Sequence, residues 1–385
     1  MFKTVFIYSF ITHGIVSSLD CSFKSSYPRQ YVSHKLQESE MIVVDGDLDD
    51  EAWEAVDWSE EFQDISTDVV PRLRTRVKMR WDSDWLYVGA EMEETQIWAN
   101  ITETCHCIDD SQDQVIFHDN DFEIFVDVDG TNHNYKEFEV NAANATWILL
   151  LNKPYSDGGY ENSSRVFGSE GYDMQPPLTC ATHVDPHNAL NNPSVPGNTW
   201  TSEVALPIDK LMERSIQSER PRHGSIWRIN FSRVEWRVKV EDGLYVKNPE
   251  FPHEDNWVWS GQGEISMHLP ERWGVLQFSE DAPEVLEMPE TGVDDEEWTL
   301  RQVAMSVYYA QHYYADHHSG VFTDDIFQLS EHVTYPPQDP DRGIILGECT
   351  NIPEIKLRYQ LKQQHNIYLI FLSYKVMIRK CLRQQ

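Results

Sequence analysis

Glu123 lies in a stretch where apolar and polar residues alternate. The even-numbered positions from Phe122 to Val128 are all apolar, whereas Glu123 and Asp127 fall on the other face. Since successive residues of a strand point to opposite faces, Glu123 is expected to project away from the core. A carboxylate in that position can accept two hydrogen bonds from vicinal hydroxyl groups, which would orient a sugar ring.

A second acid, Glu139, follows in another alternating segment and could face the same way on a neighbouring strand. Two such carboxylates would permit glycoside hydrolysis if they lay about 5–10 Å apart across a cleft. The favoured alternative is an ion pair between one of them and Arg233.

Acidic residues around the same segment suggest a cation. The four acids of this set are Asp119, Asp121, Asp127 and Asp129. Calcium prefers oxygen ligands, so the set predicts a structural calcium site, with no other cofactor expected. The run Asp45-x-Asp47-x-Asp49 begins like an EF-hand loop, but its Gly is at the second position instead of the sixth. It is interpreted as a turn before a short helix that buries Trp53.

Strands are expected to dominate residues 40–280. The predicted strands are Leu73–Trp81, Trp85–Met92, Phe122–Val128, Lys136–Asn141, Thr146–Leu151, Thr199–Leu206, Ile226–Trp236 and Gly274–Phe278. Short strands separated by turn signals, with little helix between them, predict an all-β, antiparallel β-sandwich of jelly-roll type. The Gly-, Pro-, Asn- and Ser-rich stretch 152–198 is predicted to be an elaborated loop.

A different composition follows the sandwich. Residues 281–345 are predicted to form a linker and an amphipathic helical extension, because Trp298, Val303 and Val307 recur at helical spacing. The Tyr- and His-rich stretch 308–318 could be a metal or ligand site. Packing of its aromatic stripe against the sandwich is the favoured interpretation. Residues 346–385 form a basic tail to which no function is assigned.

Composition narrows the classes of partner. The formal charge of −33 argues against nucleic acid and anionic membrane surfaces, which need clustered Lys and Arg. The 13 tryptophans are unusually many, and most are expected to be core residues. Extracellular protein partners remain open.

The N-terminus predicts secretion. Residues 1–20 have a basic start at Lys3, an apolar run from Val5 to Val16 and small residues at Ser17-Ser18, as in a signal peptide. The run is too short for a comfortable membrane span. Four glycosylation sequons begin at Asn100, Asn144, Asn162 and Asn230.

Six cysteines lie outside the predicted signal peptide, and some of them are expected to pair as disulfides in an oxidising compartment. They are Cys21, Cys105, Cys107, Cys180, Cys349 and Cys381. Fifteen connectivities are open, and Cys180 is a candidate partner for Cys105 or Cys107.

Several segments together resemble the family 9 carbohydrate-binding modules. They are Val44–Trp53, Val77–Asp82 with Leu86–Gly89, Asp121–Asp127, Trp227–Phe231, Trp257–Ser260 and Pro270–Gly274. The resemblance is closest to the family 9-like branch, a relative of the DOMON sandwiches that carries a Tyr-rich helix after the sandwich. It implies a β-sandwich that grips terminal sugars between aromatic side chains, with structural calcium. Such modules are commonly attached to xylan-degrading enzymes, but no glycosidase domain is visible here.

The resemblance also implies site residues. The binding carboxylate falls on Glu123. Positions that depart from the family pattern carry Phe117 and Met267 in place of two platform tryptophans, Glu139 in place of an arginine, and Ser232, beside Arg233, in place of a glutamine. Trp236, Trp257 and Trp259 are nearby aromatic replacements. A glycan on Asn230 would crowd this site, because Asn230 and Ser232 share a strand face.

The sequence therefore predicts a secreted, non-catalytic protein that binds plant or microbial polysaccharide or its sugar ends, associated with carbohydrate catabolism. One alternative is an adhesion or matrix protein whose sugar site has decayed. Another is a haem-binding redox module using Met79, Met267 or His268.

Overall fold

The computed structural model describes residues 28–102, 115–283 and 298–323, together with positions 328, 363–364 and 367–368. The predicted signal peptide and the five cysteines other than Cys180 lie outside these residues, as does nearly all of the basic tail. The described residues fall in two compact units, one within Ser25–Asp294 and the other within Asp295–Gln385.

The first unit contains fifteen described strands and three short helices. The strands are β1 Gln30–Lys35, β2 Gln63–Asp64, β3 Thr75–Trp81, β4 Trp85–Glu93, β5 Asp121–Asp127, β6 Tyr135–Asn141, β7 Thr146–Leu151, β8 Glu161–Asn162, β9 Thr179–Asp185, β10 Thr199–Pro207, β11 Ile226–Glu235, β12 Val238–Glu241, β13 Leu244–Lys247, β14 Asp255–Val258 and β15 Gly274–Ser279. The helices are α1 Glu51–Glu54, α2 Ser164–Phe167 and α3 Ile208–Met212. Single 3₁₀ turns occur at Ile116–His118, Tyr155–Asp157, Gly168–Glu170 and Pro270–Arg272.

Thirteen of these strands form one curled sheet. Its order is β8-β7-β6-β5-β11-β15-β1-β3-β4-β10-β9, with β14 joined to β11 and β2 joined to β14. Every pairing is antiparallel except those of β1, which lies parallel to both β15 and β3. The sheet is therefore mixed, because this N-terminal strand inserts between two strands that would otherwise be edges.

One apolar core joins strands from both halves of the sheet. Met79 of β3, Ile124 of β5 and Val204 of β10 belong to the same buried cluster, as does Phe231 of β11. Strands so far apart in the sheet order can share a core only if the sheet folds over on itself. The all-β sandwich prediction is confirmed, and the predicted core stripe Phe122–Val128 lies within this cluster.

The opposite face of β5 is covered as well, unlike the expectation that it would be open. Phe125 belongs to a second buried cluster with Tyr135, Trp147 and Trp273. Ile116 and the partly buried Met267 also pack on this side, so β5, β6 and β7 are buried on both faces.

Predicted strand bounds agree with the structure to within about two residues, and Thr146–Leu151 agrees at both ends. The predicted loop 152–198 is the exception. It contains β9, which adds to the edge strand β10 from Thr179 to Asp185, and the very short β8.

The acidic opening turn is structural. Glu203 of β10 accepts hydrogen bonds from the backbone amides of Asp45 and Gly46 and from the indole of Trp53. Gly46 has φ +92°, and an added Cβ would lie 2.5 Å from the Thr182 carbonyl carbon. Both features require glycine, so this run positions α1 and its buried Trp53 instead of forming an EF-hand loop.

Gly274→Ala is expected to lower the free energy of unfolding by about 1–3 kcal/mol. A Cβ at Gly274 would lie 2.1 Å from the ring of Trp259, which is fully buried and has little room to move. Denaturant unfolding measures the loss. In a Trp259→Leu background the same glycine substitution should cost less, because the ring is gone. An equal cost in both backgrounds would show that the clash is not its cause.

In the second unit the main element is α4, Trp298–His317, followed by the short hairpin β16 Gln363–Gln364 and β17 Ile367–Tyr368. Its aromatic stripe forms stacked pairs at and just beyond the C-terminal end of the helix. Tyr313 lies 4.3 Å from His317 and Tyr314 lies 3.8 Å from His318, between ring centroids. Spacing of four residues brings each pair together on one face.

None of the described helices combines the length and apolar character needed to cross a bilayer.

Candidate functional site

Three acids meet on the face of β5 and β6 that lies away from the main core. Glu123 and Glu139 are direct partners in the β5–β6 register, and Asp121 precedes Glu123 on the same face. One carboxylate oxygen from each lies within 4.8 Å of the others. The structure thus brings together two of the acids predicted for sugar binding and adds Asp121. We call this set the acidic floor.

The acidic floor is buried, which corrects the expected outward projection of Glu123. Exposed fractions are 6% for Glu123, 1% for Glu139 and 0% for Asp121. Burial raises the pKa of Glu123 to about 7, opposed by a hydrogen bond from Ser232 and assisted by Glu254. Burial, and then the charge of Glu123, raises the pKa values of Asp121 and Glu139 well above their usual range.

Several floor oxygens have no hydrogen-bond partner among the described residues. Both carboxylate oxygens of Asp121, one of Glu139 and one of the adjacent Glu137 are buried and unpaired. The Val234 amide, which pairs with Asp121 in the β5–β11 register, opposes the rise in the pKa of Asp121. Buried polar atoms nearly always have a hydrogen-bond partner, so these oxygens are expected to contact a group that the described residues do not supply.

Aromatic side chains surround the floor. Phe117, 37% exposed, lies 6.5 Å from the ring of Trp147, and Trp147 pairs in register with Glu139. Tyr155 is 45% exposed, and after burial the charges of Glu137 and Glu161 are the largest causes that raise its pKa. Trp236 donates from its indole to the Phe117 carbonyl. We call Phe117, Tyr155 and Trp236 the aromatic rim.

Met267 lies on the same side. It packs against the cluster that contains Trp147, and its backbone carbonyl accepts the indole proton of Trp273. The two residues predicted as opposing platforms, Phe117 and Met267, therefore both flank the β5–β7 face.

Trp147 and Arg165 were missed by sequence reasoning. Arg165 lies over the Trp147 ring at 5.2 Å and forms an ion pair with Glu161. The indole nitrogen of Trp147 is buried and has no hydrogen-bond partner in the described part of the chain. Strand alternation across the β6–β7 hairpin could have placed Trp147 beside Glu139, but nothing in the sequence places Arg165 over it.

Arg233 does not belong to this site. It pairs in register with the core residue Phe122 and is therefore on the opposite face from Ser232. Its guanidinium forms ion pairs with Glu94 at 3.0 Å and Glu235 at 2.9 Å. The predicted ion pair of Arg233 with Glu123 or Glu139 is absent from the described residues.

The prediction that Trp257 and Trp259 contact a sugar is also wrong. Both are buried in the main core, where Trp257 packs beneath the guanidinium groups of Arg72 and Arg233. Neither can reach a saccharide from that position.

The four acids of the predicted calcium set do not converge. Asp121 and Asp127 stand at opposite ends of β5, about 20 Å apart at 3.3 Å per residue. Asp119 accepts hydrogen bonds from the amides of Asn100 and Ile101. Asp129 accepts them from Thr131, Ser215 and Ile216.

The structure also bears on the predicted glycosylation of Asn230, the predicted disulfide of Cys180 and the alternative of a haem site. Asn230 is buried and its side-chain amide donates to the Ser260 carbonyl, so the folded chain cannot present it for glycosylation. Cys180 lies beside Ser202, and its candidate partners Cys105 and Cys107 are outside the described residues. Met79 is in the main core and Met267 is in the second cluster, so these two cannot ligate one haem.

Comparisons with known proteins come from structure and sequence. A family 9 carbohydrate-binding module from Caldicellulosiruptor kristjanssonii, solved with cellotriose, is 13% identical with a TM-score of 0.37, covering 68% of this chain and 99% of that one. A candidate carbohydrate-binding protein from Bacteroides uniformis ATCC 8492 is 14% identical with a TM-score of 0.43, covering 65% and 99%. No curated protein matches the chain.

The model of the family described as carbohydrate family 9 binding domain-like matches residues 44–178. The match spans the opening turn, β3 to β8, and both Phe117 and Tyr155. Residues 44–178 of this chain are therefore similar to the carbohydrate family 9 binding domain-like family, the resemblance that the sequence motifs predicted.

Proposed function

We propose that the chain is a carbohydrate-binding protein whose saccharide contacts the aromatic rim above the acidic floor. The observation that carries this proposal is the exposure of Phe117 and Tyr155 beside buried carboxylates, within the residues that match the family. An aromatic face packs on the C–H surface of a sugar ring, and a carboxylate orients the ring through its hydroxyl groups.

The rim, instead of the floor, supplies the contact area. Phe117 and Tyr155 keep over a third of their surface exposed, whereas Glu123 keeps only a small opening. Glu123 is thus the one floor acid placed to accept a hydroxyl hydrogen bond from a ligand on the rim.

Binding without catalysis is the activity proposed. Glu123 and Glu139 are close enough for a retaining pair, but a sugar must lie between the two carboxyl groups during hydrolysis. Here their oxygens lie within 4.8 Å and both side chains are buried, which leaves no cleft between them.

We further propose that the protein is secreted and takes part in carbohydrate catabolism by binding plant or microbial polysaccharide or its ends. Support comes from the signal-like N-terminal sequence and from the exposed sequon at Asn100.

Phe117→Ala is expected to weaken saccharide binding by about tenfold or more, because a stacked phenyl ring removes apolar surface from water. A glycan array of the full chain would identify the ligand, and calorimetry would measure the affinity. Phe251→Ala is the matched control. Its ring is 41% exposed and packs on Arg237, and it is not one of the three rim residues.

Equal losses of affinity in Phe117→Ala and Phe251→Ala would show that the saccharide does not bind at the aromatic rim. Absence of binding to every glycan by folded wild-type protein would instead favour an extracellular protein partner.

A further inference from the structure

We propose that the saccharide on the aromatic rim is an amino sugar, whose protonated amine contacts the acidic floor of Asp121, Glu123 and Glu139. This inference rests on the proposed carbohydrate binding and names the chemical class of its ligand. A chain of β-1,4-linked glucosamine units is the simplest saccharide of that class.

Uncompensated charge on the acidic floor is the first support. Among the described residues, no Lys or Arg forms an ion pair with any of the three floor acids. The charged groups that act on them are further acids, chiefly Glu137, Glu254 and Asp119. A neutral sugar brings no charge to such a set, whereas an ammonium group forms charge-assisted hydrogen bonds with carboxylates.

The unpaired atoms at the site are the second support, because they include a donor as well as acceptors. Among the described residues, both oxygens of Asp121 and one of Glu139 are buried without a hydrogen-bond partner. The indole N–H of Trp147 is likewise unpaired, and this side chain is 6% exposed and pairs in register with Glu139. A metal ion would satisfy the oxygens but not the indole donor, which needs an acceptor. An amino sugar supplies both, since its ammonium group donates and its hydroxyl oxygens accept.

The aromatic rim is the third support. Phe117 and Tyr155 expose 37% and 45% of their surface beside the floor. An aromatic face attracts a cation electrostatically and also packs on the C–H surface of a sugar ring. An amino sugar makes use of both properties in one ligand.

The positively charged side chains near the rim do not neutralise the floor. Arg165 forms its ion pair with Glu161. Lys247 lies over the Trp236 ring, 3.2 Å from its centroid. Neither forms an ion pair with a floor acid, so the compensating charge is left to the ligand.

Protons are the competing way to neutralise the floor. Burial raises the pKa of Glu123 to about 7 and raises the pKa values of Asp121 and Glu139 well above their usual range. Protonated carboxyl groups would bind a neutral sugar through hydrogen bonds and would gain nothing from an amine. A bound ammonium group instead favours the ionised carboxylates, because a nearby opposite charge lowers a carboxyl pKa. The two accounts therefore predict different preferences among sugars.

The experiment compares three β-1,4-linked trisaccharides that differ only at carbon 2 of each ring. Cellotriose has a hydroxyl group there, the N-acetylglucosamine trimer has an acetylated amine, and the glucosamine trimer has a free amine. Each is titrated into the full chain by calorimetry at neutral pH and physiological salt, with EDTA present to exclude metal ions. The glucosamine trimer should bind about tenfold more tightly than the other two, or better, because hydrogen bonds to charged groups are the stronger ones.

Glu139→Gln should reduce this preference by about tenfold, since it removes one carboxylate and keeps nearly the same shape. Its affinity for cellotriose should change much less. Asp47→Asn is the matched control, because it removes an acid whose side chain is 54% exposed in the opening turn. It should keep the wild-type preference. The Tm of Glu139→Gln should equal or exceed that of wild type, and Asp121→Asn replaces it if it fails to fold.

Binding of cellotriose as tight as that of the glucosamine trimer would overturn the amino-sugar assignment and leave carbohydrate binding at the rim intact. A preference of equal size in wild type and folded Glu139→Gln would also overturn it, because the amine would then be attracted by the acidic chain as a whole. Binding of none of the three trimers would overturn this inference alone, since the glycan array tests the proposed function with other saccharides.

Discussion

Arg233→Met should lower the free energy of unfolding by about 3–5 kcal/mol, because it leaves acids buried beside an apolar side chain. The Arg233 guanidinium is fully enclosed and pairs with Glu94 and Glu235, which are both buried. It also donates to the Thr75 hydroxyl and the Glu93 carbonyl. Arg72 still pairs with Glu235 in the variant, but Glu94 loses the ion pair that compensates its charge.

Chemical denaturation of the full chain measures this loss. Arg220→Met is the control, since Arg220 pairs with Asp84 and Asp209 on the surface and should contribute less than about 1 kcal/mol. Adding Glu94→Met to Arg233→Met should recover part of the lost stability. If Arg233→Met cost no more than the surface control, this ion-pair network would not be a major source of stability.

Alternation along the sequence predicted the fold well where one strand face is apolar. Phe122, Ile124 and Val126 mark the core face of β5, and their partners across β6 and β11 follow the same pattern. Alternation says nothing about what covers the second face. That cover comes from Ile116 and Met267, which are about 150 residues apart in sequence. The burial of Glu123 could therefore not be predicted from alternation.

The pairing of β1 with β15, which joins the two halves of the sheet, could not be predicted from the sequence. β1 pairs with residues around Val275 and Phe278, about 245 positions away, and a short segment carries no signal for so distant a parallel partner. β9 was hidden in a stretch whose Gly and Pro content is typical of loops.

At the site, the sequence predicted which residues take part better than it predicted the strand face on which each side chain lies. Phe117, Glu123, Glu139 and Ser232 do lie on or beside one face. Arg233 was included although it adjoins Ser232 in the same strand, and adjacent strand residues cannot face the same way. Strict use of alternation would have excluded it and would have brought in Trp147 instead.

Mild acid is expected to destabilise the protein through His268. Burial lowers the pKa of His268 from 6.5 to about 4. The ring lies 4.6 Å from Tyr155 and 5.9 Å from Phe125, and its Nδ1 shares a hydrogen bond with the Tyr135 hydroxyl. These neighbours exclude most of the water that would solvate an imidazolium ion.

The sign follows from proton uptake. Well above pH 6.5 the ring is neutral in both the folded and the unfolded chain, so it adds no pH dependence there. Between pH 6.5 and about 4 the unfolded chain binds a proton that the folded chain does not, and stability falls as the pH falls. The loss reaches about 2 kcal/mol once the partial exposure of the ring is allowed for, and it levels off below about pH 4.

His268→Gln isolates this contribution, because the buried acids titrate in both proteins. Relative to wild type, we expect His268→Gln to be more stable at pH 4.5 than at pH 7.5, with a relative free energy of unfolding higher by about 2 kcal/mol. His253→Gln, at an exposed position, controls for the loss of one imidazole. Parallel stability curves for wild type and His268→Gln across this range would mean that His268 takes up its proton in the folded state, which requires the ring to be open to water.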